Sequence, residues 1–291
     1  LKNLINGEIE SSIWEIVKDH PHISAKFLPY QGQSSIYIID KNRFNRKDML
    51  SELPIPPKQL WEGYAETKDE FLQTGKVHMT TMFEILEKDE FKIRDGSRIL
   101  EFGCAAARML RWFFEKARTC EIWGTDISAE HIIWCQQNLS PPFHFFTNTT
   151  EPHLPFESNY FDFIFAGSVF THISELYDFW YLELKRVLKP HGRLYITIHD
   201  RHSIDLFINR FPDFFLSEKL IEINKSSQIL EKDFDMFCVA MFSSVDMRNP
   251  KGAMVFYDIN YLTNKLSNLF KVRSVWPEAY GCQTAVLLEK L

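Results

Sequence analysis

The chain has 291 residues, a formal charge of −6, 45% hydrophobic residues and 25% charged residues. That is close to the globular average and suits one large α/β domain with additions, or two small domains. An acidic balance without a basic stripe argues against a nucleic-acid partner, and five scattered cysteines with no C-x-x-C pair indicate neither a zinc site nor a disulfide framework.

Reduced thiols in a cytoplasmic protein are the simplest reading of those cysteines. No run approaches the ~20 apolar residues of a membrane span, and the first residues lack the shape of a signal peptide. The count of 26 Phe points to an aromatic-rich core or a greasy substrate cavity, with plain packing favoured.

Residues 1–57 read as an accessory segment. Ile13, Trp14, Ile16 and Val17 suit a short amphipathic helix, residues 35–40 suit a strand, and Pro54, Pro56 and Pro57 mark a boundary. Residues 58–95 look helical, with Gly75 separating two helices. Residues 98–102 are an apolar run containing Glu101, followed by the tiny side chains from Gly103 to Ala107 and a helix expected over 106–117. Small residues between a strand and a helix let the backbone approach a ligand closely.

A second strand over 121–125 ends in Asp126, about where a doubly wound nucleotide-binding fold places its ribose-binding acid. Ser128 would cap a helix over 129–139, which Pro141 and Pro142 end. Strands follow at 143–147 and 160–166. A helix over 175–188 starts at Ser174 and stops at the Lys-Pro-His-Gly run 189–192, and a fifth strand covers 193–199. Residues 200–235 look mainly helical. A strand is expected at 236–242, a helix at 258–270, and a closing hairpin from 271–276 and 282–289. Alternating strands and helices predict a doubly wound, mostly parallel sheet covered on both faces, ending in an antiparallel hairpin.

The turn Gly103–Arg108 lacks two glycines of the dinucleotide fingerprint, and there is no phosphate-loop motif. Glu101 in front of the turn would repel a pyrophosphate and attract a cation. Here the chain resembles class I S-adenosylmethionine-dependent methyltransferases. E-F-G-C-A-A-A-R is similar to their first motif and G-T-D-I-S to the ribose-binding second. The likeness continues through L-P-F-E-S-N-Y-F-D-F-I-F-A-G-S-V-F-T-H-I and L-E-L-K-R-V-L-K-P-H-G-R-L-Y-I-T, spanning roughly 98–200. The family carries glycine where Ala105 and Ala107 stand. Ala107 still allows tight packing, whereas a methyl at Ala105 would crowd the cofactor or disfavour positive φ.

The resemblance implies a helical lid at 58–95, a cofactor-binding core at 96–200 and substrate-side elements at 201–291. It implies S-adenosyl-L-methionine as cofactor. Glu101 would take its ammonium, with a loop-capping acid as the plainer role. Gly103, Cys104 and Ala105 would line its methionine part, Asp126 would accept both ribose hydroxyls, and Ile127 would pack on adenine or simply in the core. Asn148, with Thr149 beside it, would meet the adenine amino group or form an Asx turn. Ser168 would face the sulfonium and acceptor. Tyr64 and Lys76, and less so Phe71, would reach the methionine end from the lid.

His199 is the candidate base at the end of the fifth strand. Asp200 reads rather as a helix cap. His172 is a second candidate, more a cap or supporting donor than a base. The expected activity is methyl transfer to a small molecule: a sugar, lipid-linked or natural-product intermediate. An NAD(P)-dependent oxidoreductase or a non-catalytic cofactor-binding protein are the alternatives.

Overall fold

The computed structural model describes residues 53–240 and 253–291, with a two-residue strand pair at Lys26–Phe27 and Ile38–Ile39. The helix expected around 13–17 and most of the strand expected at 35–40 lie outside the described residues. Strands β1 (Arg98–Phe102), β2 (Glu121–Asp126), β3 (His144–Thr147), β4 (Phe161–Ala166), β5 (Leu188–Ile198), β8 (Phe270–Tyr280) and β9 (Gln283–Lys290) form one sheet in the order β8-β9-β5-β4-β1-β2-β3. The pairs among β1–β5 are parallel. Strand β9 runs antiparallel to both β5 and β8.

The strands are apolar on both faces because both faces are covered. Leu100, Ile164, Leu194 and Ile196 pack on one side. Ile99, Phe163, Phe165 and Tyr195, one residue out of phase, pack on the other. Helix α3 (Tyr177–Val187) and helix α6 (Ile259–Leu266) cover the first face. Helix α1 (Lys68–Lys88) and helix α2 (Ala129–Asn138) cover the second.

A third cluster sits beyond the carboxyl end of β5. It is built from helix α4 (Arg201–Asp205), a π-turn at Leu206–Arg210, helix α5 (Ser217–Ser227) and the antiparallel pair β6 (Met236–Ala240) and β7 (Ala253–Tyr257). Strand β7, buried throughout, was not expected from the sequence. Most phenylalanines are core, as expected, but Phe179, Phe211 and Phe215 are exposed.

Several local expectations are corrected. Helix α1 runs unbroken through Gly75, starting from a capping box between Thr67 and Glu70. Gly75 is there for proximity: a β-carbon would lie 2.4 Å from the backbone oxygen of Arg108. Gly75→Ala is therefore expected to destabilise the fold by about 1–2 kcal/mol, overpacking outweighing the gain in helix propensity. Urea denaturation measures it, and a stabilised variant would show that the two segments are not in contact.

Residues 106–117 form no α-helix, only the 3₁₀ turns Leu110–Phe113 and Lys116–Arg118. Ala105 and Ala107 sit at φ 43° and 59°, and the Leu110 amide donates to the Glu101 carboxylate instead of a preceding carbonyl. Helix α3 starts after Leu176, which is left-handed, so Ser174 is not its cap. Ser128 makes no side-chain cap bond; its amide donates to Asp126 instead.

Candidate functional site

Strand order reverses between β1 and β4, and ligands of open α/β sheets bind outside the carboxyl ends at such a point. Beyond β1 the chain turns at Gly103, whose φ is 78° and whose missing β-carbon would lie 2.3 Å from Val169 Cγ2. Only glycine satisfies both conditions. The Gly103 and Cys104 amides donate to the Thr125 carbonyl at 2.8 and 2.9 Å, tying the turn to β2.

Asp126, at the tip of β2, accepts from the Ala105 amide through Oδ2 and the Ser128 amide through Oδ1, both at 2.8 Å. Each oxygen keeps a further lone pair. Glu101 is buried and accepts from the Leu110 amide at 3.0 Å. Burial pushes its carboxyl well above the usual carboxylate range, with Arg108 opposing. Cys104 turns into the core: its thiol lies against Gly124 and burial raises it well above an ordinary thiol. Ala105 therefore lines the turn while the Cys104 side chain does not obstruct it.

Sequence reasoning missed Arg108, which is 5% exposed. Its guanidinium lies 4.0 Å over the Tyr64 ring, bonds the Tyr280 hydroxyl and is 3.2 Å from His78 Nδ1. Its Nη1 has no partner. Burial, helped by the Arg108 charge, lowers His78 to about 3. The available signal was a cation inside the small-residue turn, facing an acid that interrupts an apolar strand. The partners His78 and Tyr280 carried no local signal.

Tyr64 thus reaches the turn, whereas Lys76 is exposed, 5.8 Å from the Trp112 ring centre, and Phe71 is core against Trp61. The segment bearing Tyr64 is anchored on both sides. Arg111 donates to the Leu53 and Pro54 carbonyls, and Glu62 sits 3.0 Å from His131 on α2.

Ile127 is half-buried, Thr149 exposed and Asn148 buried. Asn148 Oδ1 accepts from Thr125 Oγ1 and its amide donates to the Thr149 carbonyl, both at 2.8 Å. Beyond β4, Ser168 is left-handed at φ 59°. Its amide donates to Thr197 Oγ1, and its hydroxyl accepts from Gln283 Nε2, both at 2.7 Å. His172 Nδ1 lies 3.0 Å from the Ala253 carbonyl. His199 is 3% exposed, packs between Phe207 and Phe256, and has no partner at Nδ1. Burial lowers it to about 3. Asp200 caps α4 through a capping box with Ser203.

This strand order, with acids at two neighbouring strand tips and a turn of small residues between them, defines the Rossmann-like fold of class I methyltransferases. Residues 100–196 match the methyltransferase domain family, so the chain carries a methyltransferase domain over that stretch. Among solved structures, the PH0226 protein of Pyrococcus horikoshii OT3 is similar at 14% identity and a TM-score of 0.54, over 81% of this chain and 100% of that one. A SAM-dependent methyltransferase from Aquifex aeolicus is similar at 15% identity and a TM-score of 0.47, over 82% of this chain and 100% of that one. No curated protein matches the sequence significantly.

The residues fit S-adenosylmethionine on two counts. A buried guanidinium with an unpartnered Nη1 faces a buried carboxyl, and a second carboxylate stands at the neighbouring strand tip. No helix among the described residues is long and apolar enough to cross a membrane.

Proposed function

We propose that the chain methylates an oxygen of a small-molecule acceptor, with the cofactor stretched between Glu101 and Arg108 at one end and Asp126 at the other. The observation that carries this reading is the unpartnered, buried Arg108 Nη1 beside Glu101. Arg108 is suited to the carboxylate of the cofactor's amino-acid end and Glu101 to its ammonium, whose charge favours the ionised carboxylate. Ile127, with Asn148 and Thr149, would border the adenine. Residues 58–95 act as a lid through Tyr64, and 201–291 form the acceptor side.

Bound S-adenosylmethionine supplies an already activated methyl group, so the protein's work is positioning. Alignment of acceptor and methyl can lower the barrier by ~7–11 kcal/mol. Ser168, fixed by Thr197 and Gln283, borders the transfer. His199 offers an unpartnered Nδ1 that accepts a hydrogen bond from the acceptor hydroxyl, and His172 supports the adjoining loop. Calorimetry with S-adenosylhomocysteine and with NAD tests the reading. Binding of the first alone is expected; binding of NAD alone would reverse it.

Burial disfavours the charged form of His199 in the folded chain. The folded imidazole stays neutral from pH 8 down to near 3, while the unfolded chain takes up a proton below about 6.5. The unfolded state thus binds more protons between these values, and stability falls as pH falls through that window. His199 accounts for an expected loss of about 2 kcal/mol between pH 6.5 and 5, so His199→Asn should lose that much less than the parent chain, in which His78 contributes in the same direction. Urea titrations at the two pH values measure it, and identical losses in both proteins would place the effect elsewhere.

A further inference from the structure

A cavity of about 650 Å³ opens beyond the carboxyl end of β5, between the π-turn segment and the β8–β9 hairpin. Phe207, Phe211 and Phe214 form its walls, with Cys282 in the hairpin; Arg210 and Glu278 stand at the rim. Its size is that of an ordinary small-molecule site. It adjoins the site already described, since Cys282 precedes Gln283, whose amide bonds the Ser168 hydroxyl. Behind Phe207 lies His199.

Two irregularities build this cavity. The π-turn Leu206–Arg210 carries Phe207 and Arg210; such turns often mark functional sites. A register shift between Trp276 and Tyr280 bulges β8, and Glu278 there is held at φ 54°. Bulges re-aim side chains beside active sites. Glu278 is aimed at the rim, where His202 Nε2 lies at 2.9 Å and Arg210 Nη1 at 3.3 Å.

We infer that this cavity is the methyl-acceptor site and that it takes a planar, largely apolar alcohol or phenol rather than a sugar. The inference rests on the methyltransferase reading above and narrows its substrate class. The Phe207 and Phe214 rings stack at 4.2 Å and 10°, presenting flat aromatic surface. Arg210 and Glu278 pair with each other at the rim, Asp213 there is exposed to solvent, and the Phe207, Phe211 and Phe214 walls offer no hydrogen-bond partner. A sugar's hydroxyls would be buried there unpaired, at a cost for each. An apolar ring with one hydroxyl leaves a single group to satisfy, on the side where Cys282 leads to Gln283 and its partner Ser168.

The test uses the full chain, with and without S-adenosylhomocysteine, and 1-naphthol as probe against methyl α-glucoside. A Cys238→Ser background removes the exposed thiol, and Cys104, Cys120 and Cys135 are buried, so N-ethylmaleimide reads Cys282. 1-Naphthol is expected to bind and to slow Cys282 alkylation, while the glucoside does neither. Phe211→Ala, at a 45% exposed position, is expected to weaken 1-naphthol about tenfold and leave S-adenosylhomocysteine affinity unchanged. Unaltered naphthol affinity in Phe211→Ala, or unprotected Cys282, would overturn the cavity assignment while the cofactor reading stood. Competition by the glucoside would overturn the substrate class. Failure of the wild-type chain to bind S-adenosylhomocysteine would remove the underlying reading and the acceptor assignment with it.

Discussion

Asp126→Asn is expected to weaken S-adenosylhomocysteine binding by about 100-fold or more while the chain still folds. The carboxylate holds two backbone amides and, in the proposed complex, two ribose hydroxyls. Asparagine keeps one carbonyl oxygen and puts an NH₂ where the second acceptor stood, so one amide of the turn and one ribose hydroxyl face a donor. Hydrogen bonds to a charged group contribute about 1.5–3 kcal/mol each. Losing one outright and weakening another accounts for the expected change in affinity. The half-buried position and the rest of β2 keep the stability loss to about 1–2 kcal/mol. Calorimetry gives the dissociation constant and urea denaturation the stability. An unchanged dissociation constant would show that the ribose lies elsewhere.

Gly103→Ala is expected to cost about 2–5 kcal/mol of stability and to abolish cofactor binding. Two independent penalties combine there. The left-handed backbone at φ 78° disfavours any β-carbon, by about 1–2 kcal/mol. The new methyl would also meet Val169 Cγ2 at 2.3 Å, and Val169 is itself packed against the core. Either Val169 moves, disturbing Ser168 next to it, or the turn shifts away from the Thr125 carbonyl that fixes it. Val169→Ala in the same chain should recover part of the loss by removing the clash, leaving the backbone strain. Denaturation of the single and double variants measures both terms. Full recovery would mean that backbone strain at Gly103 is negligible, and no recovery that the contact is not the cause. Ala105 and Ala107 show that the turn tolerates some of this strain, since both already carry positive φ.

Much of the cofactor half was legible because its signals are local. Strands β1 to β4 are short apolar runs, and an acid at a run's end stands out against them. The order of the motifs with the alternation of strand and helix then leaves little choice of sheet. The same logic placed Asp200 as a cap rather than a base. It failed where a residue answers to a partner far along the chain. Gly75 looked like a helix break, yet it accommodates the backbone of Arg108. Residues 106–117 looked helical, yet the Leu110 amide is taken by Glu101.

From the amino-acid sequence alone came the class of sheet, the two strand-tip acids, the small-residue turn and the methyltransferase resemblance. Periodicity and strand ends are properties of consecutive residues. Only the folded chain decided that Tyr64, His78, Arg108 and Tyr280 gather at one place, that Cys104 points into the core, and that a bulged hairpin and a π-turn line one cavity. Those arrangements depend on segments brought together by the closing of the sheet, and no window of neighbouring residues contains them.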